Sequence, residues 1–383
     1  MPTRSGARRR AARPGPSSHS PDVARVPILL SLVPMRHRAS DLAAFATALL
    51  RGAGLPDDGA PVVADVLLEG DLLGHTTHGL DLLAPYLREL DAGRMAKAGE
   101  PEVLADHASA LTWDGRYLPG PWLVKRAIAI ARERLALNPV VTVAIRRSHH
   151  IGCLQAYLKP VTDEGQVVLL TCSDPSASGV TPHGGVAPRI SPNPIAVGFP
   201  TDGDPVLIDV SMSTTTNAMT RRIFDAGGRL PGTWLVDADG RPTDDPAVLF
   251  GDRKGAVLPL GGPDLGHKGF ALALLVEALT SGLAGHGRAD EPKQWGASVF
   301  LQLMDPERFG GRAAFVRETS RLADLCRTTP VAPGAPPVRL PGAAALARRA
   351  RQLRDGVELH ETILPKLAPW AEQLGVAMPA ALS

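Results

Sequence analysis

The chain has 383 residues, 44% of them hydrophobic and 21% charged, an ordinary globular balance that can bury a sizeable core. Its formal net charge is +2, with much of the positive excess in the first ten residues, and no basic, aromatic-interleaved face argues for a nucleic-acid partner. No apolar run approaches the ~18 residues of a membrane span, and three cysteines without CxxC or ligand spacing (Cys153, Cys172, Cys326) suit a reducing cytoplasm rather than a disulfide framework.

Residues 1–35, rich in Arg, Pro and Ser, read as a disordered extension or as upstream sequence before a start at Met35. The run Val26 to Met35 is too short, and too broken by Pro27 and Pro34, for a signal peptide. Helices are expected from Ser40 to Gly52, from about Ala60 to Leu73, from Leu80 to Leu90 and from about Trp122 to Leu135. Gly74 and Gly93 act as stop signals for the second and third. Residues 36–137 therefore read as a helical N-terminal part. Strand-like runs follow at Val140 to Ile145, Val167 to Cys172, Ile195 to Phe199, Val206 to Val210 and Val299 to Met304. Helical periods lie between them at Ile151 to Lys159 and Gly269 to Leu283. The latter is apolar on nearly all sides (Phe270, Leu272, Leu274, Leu275, Leu279), which predicts a buried helix. The alternation makes 138–325 an α/β domain. A Pro-rich connector leads to tail helices at Ala343 to Leu353 and Leu359 to Leu374, so 326–383 reads as a helical C-terminal part that packs with the N-terminal part.

Four short constellations carry polar chemistry. His75-Thr76-Thr77-His78-Gly79 sits at a break between helices. There Thr77 and His78 suit a carboxylate or carbonyl, while Thr76 or Thr77 equally suits capping the next helix. Ser148-His149-His150-Ile151-Gly152 follows a strand, where α/β folds place ligand chemistry. An imidazole there can take or give one proton at neutral pH, although a surface histidine pair reads equally well. The stretch from Thr171 to Pro200 is rich in Gly, Pro and Ser, and its turns offer amides to phosphate oxygens without forming GxGxxG. Gly266-His267-Lys268-Gly269 leads into the apolar helix, and Lys268 there suits a phosphate or ribose hydroxyl. A rival reading is a metal-dependent hydrolase using His75, His78, His149 and His150, but no HExxH and no carboxylate-rich second set accompany them.

In order and spacing these residues resemble the malate/L-lactate dehydrogenase family of the non-Rossmann type, which includes sulfolactate and ureidoglycolate dehydrogenases and a cyclic-imine carboxylate reductase. The resemblance runs from about Ala39 to the C-terminus. It rests on Thr77-His78-Gly79, His150-x-Gly152, Pro182-x-Gly184-Gly185 with Asn193-Pro194, Asp209, Lys268-Gly269, Asp305-Pro306 with Phe309, and Leu340-Pro341-Gly342.

The resemblance implies an α/β fold with a non-Rossmann NAD(P)-binding sheet domain, flanked by a helical domain built from both chain ends. It implies NAD or NADP as cofactor, a homodimer, and a small 2-oxo/2-hydroxy acid as substrate, with a cyclic-imine carboxylate as the alternative. His150 matches the proton donor/acceptor. Thr77 and His78 match the substrate grip, with His78 itself catalytic in some members, and Asp209 would orient a catalytic histidine. Cofactor contacts would come from His150, Ile151, Gly152, Ser173, Gly184, Gly185, Asp209, Val210, Ser211, Lys268 and Gly269. Three positions depart from the pattern: Leu82 stands where an Arg clamps the substrate carboxylate, Ala218-Met219 replaces Gly-Lys, and Ser191-Pro192 replaces Gly-Thr. Arg146, Arg147 and Arg189 are candidates for a 2′-phosphate.

Overall fold

The computed structural model describes residues 35–382; the extension expected at 1–35 lies, but for its last residue, outside them. Strand β1 (Arg36–His37) leads to helices α1 (Ala39–Gly52), α2 (Ala60–Leu73) and, after a 3-10 turn at Leu80–Leu82, α3 (Leu83–Asp91). Next come β2 (Glu102–Asp106), β3 (Ala110–Asp114), α4 (Gly120–Leu135) and β4 (Val140–Ser148). A 3-10 turn (Leu154–Tyr157) and one-turn α5 (Lys159–Thr162) precede β5 (Val167–Ser173), β6 (Ile195–Phe199) and β7 (Val206–Val210). Helix α6 (Asn217–Asp225) precedes the short strands β8 (Leu235–Val236), β9 (Pro242–Thr243) and β10 (Ala256–Val257). Helix α7 (Gly262–Glu277) runs into a π turn at Ala278–Gly282. The chain closes with β11 (Ala297–Met304), α8 (Arg312–Arg327), α9 (Ala343–Asp355), β12 (Val357–Glu358) and α10 (Ile363–Leu374).

A seven-stranded sheet in the order β2-β3-β4-β11-β5-β6-β7 forms the centre. Only β3–β4 is parallel; the other pairs are antiparallel. Strand β11 lies between β4 and β5, where Val299, Leu301 and Leu303 are fully buried on one face, the period-2 pattern of a strand packed on helices. Burying each such side chain is worth about 1.5–3 kcal/mol. The same core takes in α1 to α4 and the tail helices α9 and α10, so both chain ends build one helical layer. Specific ties hold the tail in place. Arg349 pairs with Glu69 at 2.6 Å, β1 pairs with β12, and Gln352 donates to the Asp71 and Leu72 carbonyls at the end of α2 at 2.9 and 3.1 Å. Helix ends leave such carbonyls without an intrahelical partner, and Gln352 supplies one. A second, smaller core forms around Val180, Met212, Leu235 and Val257, beside the three-stranded sheet β10-β8-β9.

Three expectations need correction. The part read as mostly helical, 36–137, also contains β2 and β3, which extend the central sheet. Alternation survives there only as Leu111 and Trp113, because β2 is an edge strand with Val103 and Leu104 exposed. Second, α7 starts at Gly262, with Pro263 in its first turn, rather than at Gly269. Third, α7 is not buried on all sides. It approaches its neighbours through Gly262, Gly266, Gly269, Ala273 and Val276, while Leu272, Leu274 and Leu275 are exposed. A Cβ on Gly269 would come within 2.4 Å of the Leu260 carbonyl oxygen, so a small-residue seam, not the leucines, faces inward. The amphipathic helix α8 and the small three-stranded sheet were not anticipated.

Candidate active site

The Thr77-His78 turn is built by the end of α2. Gly74, in the left-handed region at φ +95°, ends that helix. Asp71, one turn earlier, accepts a hydrogen bond from the Leu80 amide at 2.6 Å. This carboxylate, not Thr76 or Thr77, caps the turn at Leu80. Its approach requires glycine at 79, because a Cβ there would lie 2.3 Å from Asp71 Oδ2. Asp71 is buried and its Oδ1 has no hydrogen-bond partner. Burial pushes its pKa up to about 7, against the lowering effect of the Leu80 bond. Thr77 Oγ1 lies 2.9 Å from His78 Nδ1. Arg222 reaches in from α6 and donates to Thr76 Oγ1 and the Thr76 carbonyl, both at 2.8 Å, and to Asp81 at 2.9 Å.

The end of β4 delivers the second motif. The His150 ring stacks on His78 with centroids 5.9 Å apart. Tyr86, from α3, donates to the His150 carbonyl at 2.8 Å, and the same oxygen lies 3.0 Å from His150 Nδ1. The Gly152 amide is 3.2 Å from that nitrogen. Trp295 walls the group, 5.1 Å from the His150 ring and 4.9 Å from that of His149. His78 and His150 both keep part of their surface accessible. Desolvation nevertheless disfavours their charged forms. His78 is brought down to about 4 by burial, aided by the charges of His75 and Arg222. His150 is held well below its ordinary value by burial and by the two neighbouring histidines. His149 is buried and likewise lowered to about 4 by burial, opposed by Glu89. All three imidazoles are thus neutral at pH 7, and Tyr86, Trp295 and Arg222 complete a cluster that no motif announced.

Asp209 ends up elsewhere than expected. Its Oδ2 accepts from the Gln155 amide at 2.9 Å and from the Cys153 thiol at 3.9 Å. The histidine it faces is His75, not His78 or His150: the polar atoms of His75, Cys153 and Asp209 lie within 4.8 Å of one another. Burial raises its pKa and His75 lowers it. His75 Nε2 is held at 2.9 Å by Gln155 Oε1, and Gln155 Nε2 donates to the Leu207 carbonyl at 3.0 Å. Among the described residues, His75, His78, His149 and His150 do not converge as the metal reading requires.

The remaining motifs meet at α7. The Pro182–Gly185 turn packs on its first turns, with the His183 and His267 rings 5.7 Å apart. Gly184 has φ +82° and open space where a Cβ would be. Lys268 is exposed within α7, not at its N-terminus, and pairs with no carboxylate among the described residues. Asn193 locks this loop to α7 through the Ala273 carbonyl and Glu277, both at 3.1 Å. Ser211 bridges to the Pro192 carbonyl at 3.3 Å and to Ser213 at 2.5 Å. An open glycine backbone beside two imidazoles and a free ammonium fits the diphosphate of a dinucleotide. Ser173 is different: it is buried and its hydroxyl is taken up by Thr280 at 2.7 Å and Ser281 at 3.2 Å. Arg146 and Arg147 both bind the buried Asp114, which leaves Arg189 as the unpaired candidate for a 2′-phosphate among the three.

A sheet without the dinucleotide fingerprint, an imidazole cluster at a strand end and an open glycine turn suit a nicotinamide-dependent oxidoreductase of hydroxy acids. The chain belongs to the malate/L-lactate dehydrogenase family, whose model matches residues 37–368. It is 31% identical to an L-lactate dehydrogenase of Cupriavidus necator over 359 residues, 92% of this chain and 99% of that protein. It is 33% identical to a (2R)-3-sulfolactate dehydrogenase (NADP(+)) of Chromohalobacter salexigens over 340 residues, 85% of this chain and 95% of that one. Among solved structures it is similar to the delta1-piperideine-2-carboxylate reductase of Pseudomonas syringae, at TM-score 0.76 and 26% identity, covering 88% of this chain and 99% of that one.

Asp71 gives this site a pH signature in stability. Its native pKa, about 7, lies above the unfolded value near 3.8, so the native state holds the proton more tightly. That stabilisation is complete below pH 4 and is lost as pH rises through 7. Urea unfolding of wild type and Asp71→Asn across pH 4 to 8 should therefore show the stability difference moving in favour of the variant as pH rises. A constant difference would contradict the assignment.

Proposed function

We propose that the chain interconverts a small 2-hydroxy acid and its 2-oxo acid with His150 as the acid/base. The observation that carries this reading is the Tyr86–His150 contact. Tyr86 has one hydroxyl proton. Given to the His150 carbonyl at 2.8 Å, it leaves an oxygen lone pair facing Nδ1 at 3.0 Å. That holds the ring proton on Nδ1 and leaves Nε2 bare. The Gly152 amide favours the other tautomer from a longer 3.2 Å and is the weaker influence.

The nicotinamide, when bound, supplies or accepts the hydride. Every other requirement falls on the chain. In oxidation, neutral His150 takes the hydroxyl proton at Nε2; in reduction, its protonated form returns it to the oxygen. His78, aligned by Thr77, stacks beside it and holds the carbonyl or carboxylate. Gly184, Gly185, His267 and Lys268 would hold the diphosphate, and Ile151, Gly152, Asp209, Val210 and Ser211 would supply further cofactor contacts. Asp209 acts on His75 rather than on the acid/base. The likeness to a cyclic-imine carboxylate reductase supports an imine as the second substrate reading. The exposed leucines Leu272, Leu274 and Leu275 of α7, with Leu283 beyond it, are apolar side chains left open to solvent on one helix, which supports a homodimer.

General acid–base help of this kind is worth about 10²–10⁴-fold. His150→Gln should lose that much turnover in a 340 nm assay with 2-oxo acids and cyclic imines while still binding cofactor; near-normal turnover would transfer the role to His78. For the dimer, sedimentation of wild type should give twice the chain mass and that of Leu275→Asp the single mass. A wild type sedimenting as one chain would refute it.

A further inference from the structure

We infer that a cavity on the far side of the Thr76–Thr77 turn binds the phosphate group of a small molecule distinct from the dinucleotide. The cavity, of about 440 Å³, is lined by Arg36, Arg348, Arg351, Gly74, Thr76 and His360. It lies where α9, the end of α2 and the β1–β12 ribbon meet.

Three features point to an anion. Most of the arginines among the described residues are engaged by carboxylates, as Arg222, Arg288, Arg349 and Arg354 are, yet the side chains of Arg36, Arg348 and Arg351 make no ion pair or hydrogen bond among the described residues. Three unpaired guanidinium groups around one concavity repel each other unless an anion joins them, and their planar forks match phosphate oxygens. Second, Arg348 lies directly on the backbone of Gly74, where a Cβ would meet its guanidinium. That glycine therefore makes room for the charge. Third, Asp71 also lines the cavity, is 1% exposed, and has an Oδ1 with no partner. Its raised pKa, about 7, means that it carries a proton through much of the neutral range and can donate to an anion oxygen.

The acidic groups on the rim do not cancel the site. Asp355 is bound by Arg354 at 2.8 and 2.9 Å. Glu358 is the cross-strand neighbour of Arg36, and Asp355 also feels the charges of Arg36 and Arg351, so the rim sets two carboxylates against three cations. Thr76 is also the residue that Arg222 grips, so an anion here would touch the back of the turn that carries His78. Binding itself does not depend on the proposed reaction.

Calorimetric titration of the full chain, without cofactor, with inorganic phosphate, a sugar phosphate and citrate tests the inference. Phosphate or the sugar phosphate should bind, and Arg348→Met and Arg351→Met should each weaken binding about tenfold or more. Arg354→Met serves as the control and should bind as wild type does. Circular dichroism and unchanged basal turnover establish that the variants are folded. The tighter of the two phosphates identifies whether the free ion or an ester is the ligand. Tighter binding of citrate would overturn the phosphate assignment. No binding, equal binding by the variants, or displacement of phosphate by NADPH would overturn the separate site.

Discussion

The site depends on one buried carboxylate. Asp71 reaches from the last turn of α2 to the Leu80 amide and so fixes the path of the five residues that include Thr77 and His78. Almost every other feature of the turn follows. Gly79 is needed because the carboxylate occupies the place of a Cβ. Gln352 supplies the partner that the Leu72 carbonyl otherwise lacks and a second one to the Asp71 carbonyl, which already accepts from the Gly74 amide. Arg222 then ties the turn to the smaller core from the other side. Burying a carboxylate with one oxygen unpaired costs stability, and its raised pKa is the sign of that cost. The same arrangement sets the position of the His78 side chain, which Thr77 Oγ1 approaches at 2.9 Å.

The second theme is desolvation. His78, His149 and His150 crowd together with Tyr86 and Trp295, and none can hold a proton at neutral pH without burying positive charge. A neutral imidazole is the form that accepts a proton from an alcohol. Reduction of a carbonyl needs the charged form, which this surrounding disfavours. The resting site is thus biased towards the base, and a bound anion such as a carboxylate would shift it back. The charge of the substrate and the protonation of His150 are therefore linked.

Much of this was legible in the sequence because it rests on local signals. Gly74 marked the end of α2, and the β-branched runs marked β4 to β7. The strand-end histidine and the Gly-rich turn were visible as chemistry before any fold was known. What escaped detection depends on long-range packing. β2 sits at an edge with the adjacent Val103 and Leu104 both exposed, so it shows no alternation. Helix α7 is inverted relative to its hydrophobicity, because its glycines face inward and its leucines outward. Tyr86 and Trp295 look like ordinary core aromatics, and only the fold brings them 6.1 and 5.1 Å from the His150 ring. Asp209 was placed correctly at a strand end but faces His75, which register and loop path decide.

The most direct test of the account is the pH dependence of kcat/KM for 2-oxo acid reduction by the wild-type enzyme, which reports ionisations of the free enzyme. With His150 as the proposed acid, only its protonated form donates, and its pKa is held well below the ordinary 6.5. With His150 desolvated in this way, kcat/KM should keep rising as pH falls past 6.5, with no levelling at neutral pH. A plateau reached at or above pH 6.5 would mean that His150 is not desolvated in this way, or that another group carries the proton.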